Sequence, residues 1–297
     1  MMGQLLYNEP LSNHTSWRVG GPAERFYQPA NLTDLQEFLR AEATCDKASV
    51  SRPLTWLGLG SNMLVRDGGI AGTVIATQGC LKQLTQLEDL TIRAEAGVAC
   101  GQLARFSARL GFTGGEFWAG IPGTVGGALA MNAGCFGGET WERVLRVECI
   151  TRQGKLIIRT PDQYAISYRS VLGRERDEWF VAGIFQLQKG DKEVSLARIR
   201  ELLQKRTTTQ PTNEPSCGSV FRNPPGKYAA ELIEACGLKG MRMGQAEVSE
   251  KHANFILNKG RATAADIEGL IEYIVEKVRA KHGVTLIREV RILGDRG

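Results

Sequence analysis

Residues 119–134 read AGIPGTVGGALAMNAG, and this run of small residues sets the expected fold of the chain. Pro122 is suited to the first turn of a helix. Gly123, Gly126 and Gly127 leave one surface of that helix without side chains. The backbone amides at the helix N-terminus could bind an anion such as a phosphate. Alternatively, the glycines could let the helix cross another element closely, and this stretch alone favours neither interpretation.

A second glycine cluster, GLGSN at residues 58–62, lies further towards the N-terminus. It differs from the dinucleotide-binding pattern G-x-G-x-x-G because Met63 occupies the position of the third glycine. The sequence also lacks the P-loop pattern G-x-x-x-x-G-K-[ST]. What remains is a turn of small residues after a strand, which can present several backbone N–H groups to a phosphate. Two such clusters in one lobe favour a diphosphate cofactor over tight packing alone.

Composition excludes several classes of protein. The formal net charge of +5 is spread over 297 residues without the basic stripe typical of nucleic-acid binders. Seven cysteines, an odd number without a C-x-x-C pair, argue against a disulfide scaffold or a zinc site. The sequence has no apolar stretch of membrane-spanning length and no signal-peptide pattern at its start. We therefore expect a cytoplasmic protein without a metal, without nucleic acid and without membrane insertion.

Short extended segments alternate with helical patterns, which predicts an α+β fold. The predicted helices are 31–43, 99–110, 194–206, 228–236 and 264–282. The predicted strands are 24–29, 54–59, 81–87, 90–94, 146–151, 156–160, 179–187, 253–257 and 285–293. The segment 207–216 is rich in Thr and Pro, as is typical of a boundary between lobes.

Five motifs follow one another along the chain: TSWRVGGP at 15–22, GLGSN at 58–62, the IPGTVGGA and MNAG elements within 121–134, SCGSVFRNP at 216–224, and IREVR at 287–291. Together they resemble the motifs of the UDP-N-acetylenolpyruvoylglucosamine reductases, also called UDP-N-acetylmuramate dehydrogenases. The resemblance covers nearly the whole chain. The short run between Phe185 and Arg206 leaves no room for the tyrosine-bearing loop of longer members, which indicates the shorter subgroup.

The resemblance implies an FAD-binding lobe of the vanillyl-alcohol-oxidase type over residues 17–190, built from two α+β subdomains. A substrate-binding lobe would follow over 191–297, with the last strand, 285–293, returning to the flavin. The implied reaction is reduction of UDP-N-acetylglucosamine enolpyruvate to UDP-N-acetylmuramate in peptidoglycan synthesis. Non-covalent FAD would be the cofactor and NADPH the reductant.

The same resemblance assigns roles to individual residues. The expected catalytic residues are Arg169 for the substrate carboxylate, Ser219 as proton donor and Glu289 beside the carboxylate. The expected FAD-binding residues are Gly58, Gly60, Ser61, Asn62, Gly123, Thr124, Gly126, Ala133 and Gly134. The expected substrate-binding residues are Tyr168, Arg206, Gln210 and Asn223. Without the resemblance, the three catalytic candidates would be interpreted as a surface arginine, a turn serine and a solvated strand residue.

Two other functions stay open from the sequence. One is a flavin oxidase on the same fold, which would reduce oxygen rapidly. The other is a UDP-sugar or nucleotide-binding protein without catalytic activity. A serine hydrolase is disfavoured, because Ser219 lacks the G-x-S-x-G context and none of His14, His252 and His282 is suitably placed in the sequence.

Overall fold

The computed structural model describes residues 2–45 and 52–297 of the chain. Its helices are α1 (Leu32–Cys45), α2 (Cys100–Arg109), α3 (Val125–Met131), α4 (Lys192–Thr209), α5 (Ala229–Ala235) and α6 (Ala264–His282). Its strands are β1 (Gln4–Pro10), β2 (Pro22–Gln28), β3 (Leu54–Leu57), β4 (Met63–Val65), β5 (Ile70–Ala76), β6 (Leu84–Gln86), β7 (Thr91–Glu95), β8 (Phe112–Thr113), β9 (Gly134–Cys135), β10 (Gly138–Glu139), β11 (Val144–Thr151), β12 (Leu156–Arg159), β13 (Ala165–Ser167), β14 (Ser170–Leu172), β15 (Glu178–Gln186), β16 (Gln188–Lys189), β17 (Arg242–Met243), β18 (Ala246–Val248), β19 (Ile256–Asn258) and β20 (Arg291–Leu293). Short 3-10 helices cover Leu11–His14, Glu116–Gly120, Thr140–Arg143 and Pro161–Gln163.

The chain forms two compact units, each assembled from separate segments. Unit 1 comprises Met1–Leu6, Arg25–Leu59 and Gly72–Lys205, and unit 2 comprises Tyr7–Glu24, Gly60–Ala71 and Arg206–Gly297. The division into lobes at residue 190 stays a prediction. The predicted α+β class is confirmed.

Unit 1 is built on two sheets. The first has the order β1-β2-β5-β3, in which β3 and β5 run parallel. Helix α1 begins after Asn31, whose side-chain oxygen accepts the Asp34 amide at 2.9 Å, as a helix N-cap does. The helix contributes to an apolar core in which the rings of Phe38 and Tyr27 stack at 3.8 Å.

The second sheet of unit 1 is antiparallel, with the order β12-β11-β15-β7-β6. Strands β6 and β7 form a hairpin around Glu88-Asp89, where Asp89 and Leu90 adopt positive φ angles of 52° and 60°. Helices α2 and α3 share one apolar core with this sheet. The core therefore supports α3, which carries the glycine-rich stretch.

Unit 2 contains the antiparallel sheet β17-β18-β19, helices α5 and α6, and the parallel pair β4–β20. Helix α6 has its predicted bounds, because Thr263 caps its first turn and Gly283 ends it in the left-handed conformation. Its first amides also donate to the Asp67 carboxylate, from Ala264 at 2.9 Å and Ala265 at 3.0 Å. The helix buries an apolar stripe in the core of this unit, formed by Ile267, Leu270, Ile271, Ile274 and Val278.

Both strands that the sequence predicted within unit 2 are shorter in the structure than the sequence pattern indicated. The predicted strand 253–257 is observed as Ile256–Asn258, and the predicted strand 285–293 as Arg291–Leu293. Residues just before each observed strand bond instead to the segment 220–222, which is not a regular strand. Local alternation of apolar residues could not reveal these pairings, since they join distant parts of the chain.

Among residues 2–45 and 52–297, no helix combines the length and apolar character needed to cross a membrane. The same described ranges contain no group of three or more His, Cys, Asp or Glu side chains that could hold a metal ion.

Candidate active site

The two glycine clusters meet in unit 1. Gly58 follows β3, and a Cβ atom at Gly58 would lie 2.4 Å from the hydroxyl oxygen of Thr124. Thr124 is the N-cap of α3, and its hydroxyl accepts the Gly127 amide at 3.4 Å. Bare backbone beside a hydroxyl is an arrangement that a diphosphate can approach closely. Gly58 lets the turn after β3 lie against the N-cap of α3, which brings the two glycine clusters together. Their contact with an FAD diphosphate stays a prediction.

The first amides of α3 make bonds inside the protein. Val125 donates to the carbonyl of Val98 at 2.8 Å, and Gly126 donates to the carbonyl of Ala96 at 2.9 Å. A Cβ atom at Gly126 would lie 2.8 Å from the Ala96 Cβ, closer than such atoms approach in real proteins. Gly126 therefore lets α3 pack closely against the segment that follows β7, and its predicted contact with FAD stays a prediction.

Arg169 lies at the turn of the hairpin formed by β13 and β14. Its φ angle of 55° is left-handed, an uncommon conformation for a residue with a side chain. Its guanidinium donates to two backbone carbonyls, from Nη1 to Asn132 at 3.4 Å and from Nη2 to Gly134 at 2.8 Å. The structure thus brings Arg169 together with the predicted cofactor-binding residues Ala133 and Gly134.

Asn132 organises this part of unit 1, although the sequence did not single it out. It is 1% exposed and has a left-handed φ of 48° at the C-terminal end of α3. Its amide nitrogen donates to Glu139 Oε2 at 2.8 Å and to the carbonyl of Ser167 at 3.2 Å. Its amide oxygen accepts the Trp141 backbone amide at 3.1 Å. The only sequence signal was its place in the MNAG motif.

Tyr168 precedes Arg169 at the same hairpin turn and is 46% exposed. The Arg169 guanidinium carbon lies 5.2 Å from the centre of the Tyr168 ring, which is the geometry of a cation–π contact. Tyr168 is therefore placed beside a predicted catalytic cation, while its contact with substrate stays a prediction.

Unit 2 brings together Asn62, Ser219 and Glu289. The carbonyl of Val220, next to Ser219, accepts the Glu289 amide at 2.8 Å. The Asn62 side chain donates to the Glu289 carbonyl at 3.2 Å, and Arg291 donates its amide to the Asn62 carbonyl at 3.0 Å. Three residues from separate sequence motifs thus lie at the place where β4 and β20 begin to pair.

Gly218, just before Ser219, has a φ of 79°. Within the described part of the chain, and apart from Gly218 itself and its two neighbours in sequence, no atom lies within 4 Å of the position that a Cβ atom at Gly218 would occupy. The backbone at the predicted proton donor is therefore open on that side.

Cys217 also lies beside this group and is buried. Burial, followed by the nearby charge of Glu289, holds the pKa of the Cys217 thiol well above its usual range. The thiol stays protonated at neutral pH, and Cys217 is not suited to act as a nucleophile.

Gly60 and Ser61 lie in the turn before β4 in unit 2. Gly60 has a φ of 64°, and a Cβ atom there would lie 2.3 Å from the His14 carbonyl. Its carbonyl accepts the Ser16 amide at 3.2 Å, which joins the GLGSN turn to the TSWRVGGP motif. The half-buried Ser61 follows directly, and its contact with FAD stays a prediction.

The remaining substrate candidates have partners inside unit 2. Arg206 Nε donates to Gln210 Oε1 at 3.1 Å, so these two side chains form a pair. The side-chain oxygen of Asn223 accepts the Ala229 amide at 3.1 Å, at the first residue of α5. Asn223 therefore has a structural bond in addition to its predicted role.

Family models and known proteins match both halves of the sequence. Residues 23–159 match a model described as FAD binding domain. Residues 210–293 match a model described as the C-terminal domain of UDP-N-acetylenolpyruvoylglucosamine reductase. The reductase of Legionella pneumophila strain Corby is 59% identical over 294 residues, which is 99% of this chain and 93% of the relative. The reductase of Alkalilimnicola ehrlichii is 57% identical over 293 residues, with 99% and 96% coverage.

A solved structure gives the same result for the fold. The crystal structure of UDP-N-acetylenolpyruvylglucosamine reductase from Thermus caldophilus is 30% identical to the chain and superposes with a TM-score of 0.79. The match covers 99% of this chain and 100% of that one. The likeness therefore extends over the whole molecule.

Proposed function

Because the chain belongs to the UDP-N-acetylenolpyruvoylglucosamine reductase family, we propose that it reduces UDP-N-acetylglucosamine enolpyruvate to UDP-N-acetylmuramate. NADPH is the reductant and FAD the bound cofactor, in the synthesis of peptidoglycan precursors. The observation that carries this proposal is the identity of 59% to one such reductase over 99% of the chain. The contact of Gly58 with the Thr124 hydroxyl supports it, because it brings the two glycine clusters together, as binding of one diphosphate by both clusters requires.

FAD would be held without a covalent bond by the two glycine clusters, through Gly58, Gly60, Ser61 and Asn62 on one side. On the other side Gly123, Thr124, Gly126, Ala133 and Gly134 would contribute. Bound FAD would supply a hydride to the terminal carbon of the enolpyruvyl group. All other steps depend on residues of the chain.

Arg169 stabilises the negative charge that develops on the α-carbon and carboxylate of the substrate. Its guanidinium is planar and can offer two parallel N–H donors to a carboxylate. The bonds from its terminal nitrogens to the Asn132 and Gly134 carbonyls hold the group in place before substrate arrives. Such preorganised charge lowers the barrier because it needs no rearrangement during the reaction.

Ser219 donates its hydroxyl proton to the α-carbon, which balances the hydride added at the terminal carbon. The carbon–carbon double bond thereby gains two hydrogens and becomes a single bond. A serine hydroxyl is a weak acid, but a carbanion-like carbon is basic enough to accept its proton. Glu289 holds and polarises the substrate carboxylate through a proton that the two carboxyl groups share, since two ionised carboxylates would repel each other. Its backbone amide donates to the Val220 carbonyl beside Ser219.

The nucleotide and sugar of the substrate would contact Tyr168, Arg206, Gln210 and Asn223. Asn223 would present its amide nitrogen, since its oxygen accepts the Ala229 amide. The proposed location is the cytoplasm, because the buried thiols of Cys100, Cys149 and Cys217 are not in disulfides, as a reducing compartment requires.

Turnover with NADPH and the enolpyruvyl UDP-sugar tests this function. We expect NADPH to be oxidised in step with formation of UDP-N-acetylmuramate. In D₂O, mass spectrometry should find deuterium at the α-carbon. A Ser219→Ala variant should still reduce its flavin with NADPH but lose most product formation. If the UDP-sugar is unchanged after incubation with the wild-type holoenzyme and NADPH, the proposed function is contradicted. Normal turnover by Ser219→Ala would instead contradict the proposed role of Ser219 as proton donor.

A further inference from the structure

The side chain of Asn254 bonds to both backbone polar groups of Phe221. The Phe221 amide donates to Asn254 Oδ1 at 3.0 Å, and Asn254 Nδ2 donates to the Phe221 carbonyl at 2.8 Å. The backbone carbonyl of Asn254 also accepts the Val220 amide at 2.9 Å. Asn254 is 4% exposed. The Asn254 side chain thus makes the bonds to Phe221 that the backbone of a neighbouring strand would otherwise make.

The opposite side of the same segment bonds to the residues around Glu289. The Glu289 amide donates to the Val220 carbonyl at 2.8 Å, and the Arg222 amide donates to the Ile287 carbonyl at 2.9 Å. A single antiparallel bridge joins Phe221 to Arg288. The segment 220–222 is therefore bonded to Asn254 on one side and to 287–289 on the other.

This segment needs the side-chain bonds because its backbone has little other support. Residues 219–222 lie outside the regular strands of the described chain, and Gly218 before them has a left-handed backbone. In a regular sheet, many ladder bonds fix the register of a strand, and a slip of one residue turns each side chain to the other face. Here the two bonds from Asn254 supply much of that constraint.

We propose that Asn254 is a positioning residue for the reaction, which rests on the proposed function. It holds the backbone of Val220 and Phe221, and this fixes the position of the Ser219 hydroxyl relative to Glu289. Asn254 transfers no proton, and it acts through Ser219. Proton transfer to carbon is sensitive to geometry, and a misplacement of about 1 Å can slow an enzyme roughly 100-fold.

Asn258 provides a matched control four residues further along the chain. It is 6% exposed and makes a similar set of side-chain bonds, none of them to residues 219–222 or 287–289. Its amide nitrogen donates to the Trp17 carbonyl at 2.9 Å, and its amide oxygen accepts from Gly260 and Ala262 at 2.9 Å and 3.1 Å. Replacing either asparagine by alanine removes a buried network of comparable size.

The experiment uses anaerobic stopped flow to measure two half-reactions, reduction of the flavin by NADPH and its reoxidation by the UDP-sugar, in Asn254→Ala and Asn258→Ala holoenzymes. The midpoint of thermal unfolding is measured for each variant. Both variants should melt earlier than wild type, and both should reduce their flavin with NADPH at the wild-type rate. Reoxidation of the reduced flavin by saturating enolpyruvyl UDP-sugar should slow roughly 100-fold in Asn254→Ala alone. Its solvent isotope effect on that step should rise, since proton transfer then limits the rate.

Reoxidation of Asn254→Ala as fast as that of Asn258→Ala would overturn the proposal. If Asn254→Ala does not fold, Asn254→Asp replaces it, because the shape is kept while the donor to the Phe221 carbonyl is lost. That variant should show an intermediate slowing, and a wild-type rate would equally overturn the proposal. If the UDP-sugar fails to reoxidise the reduced flavin of the wild-type protein, the proposed function is overturned, and the inference with it.

Discussion

Arg169 combines an uncommon backbone conformation with a guanidinium bonded to two carbonyls. Backbone strain of this kind persists where the surroundings determine it, and it is concentrated at functional sites. Asn132 supplies part of those surroundings, because it bonds to the Ser167 carbonyl before the turn and accepts from Arg169 at its own carbonyl. The sequence predicted Arg169 only through its motif, and the place of Asn132 in the MNAG motif did not reveal that Asn132 organises the turn.

Replacement of Arg169 by lysine tests the role of the planar guanidinium. An ammonium group cannot reach both the Asn132 and Gly134 carbonyls while offering two parallel donors to a carboxylate. We expect reoxidation of reduced flavin by the UDP-sugar to slow roughly 100-fold in Arg169→Lys, with reduction by NADPH unchanged. Stopped-flow absorbance of both half-reactions measures this. Equal reoxidation rates in Arg169→Lys and wild type would exclude the carboxylate role.

The sequence predicted where helix α3 begins, but it did not predict what the helix packs against. The glycine pattern indicated a helix N-terminus near Pro122, and α3 begins at Val125 with Thr124 as its cap. The pattern alone could not decide whether the glycines bind an anion or allow the helix to pack closely. The contact that shows a packing role for Gly126 is with Ala96, which is distant from it in the sequence. By contrast, α6 was predicted with its observed bounds, because its cap residues and apolar stripe are local signals.

The adjacent glycines Gly126 and Gly127 give a matched test of the packing role. A methyl group at Gly126 would lie 2.8 Å from the Ala96 Cβ, whereas at Gly127 its nearest neighbour would be the Thr124 hydroxyl at 3.7 Å. Gly126→Ala should therefore lower the free energy of unfolding by about 1–3 kcal/mol. Gly127→Ala should leave it unchanged or raise it by about 0.5–1 kcal/mol, as alanine favours a helix. Urea unfolding of the FAD-free proteins measures both, and equal effects would contradict the packing role.

At the scale of the whole molecule, the alternation of strands and helices was enough to predict the α+β class, and the ordered motifs were enough to predict the family. The assembly of unit 2 from separate segments could not be predicted in the same way. Strand β4 pairs with β20 in the register Met63 to Arg291, and Leu64 is buried in the same core as Ile267. Pairing between residues so far apart in sequence leaves no periodic signal in either segment, so only the folded chain reveals it.

The visible absorbance of the purified protein under anaerobic conditions tests the central claim most directly. A flavin spectrum should bleach on addition of NADPH and return on addition of the enolpyruvyl UDP-sugar, without oxygen. The flavin should also separate from the chain on denaturation, because it is held without a covalent bond. Colour that bleaches with NADPH and returns only with oxygen, or a protein that shows no flavin spectrum even after FAD is added, would contradict the account.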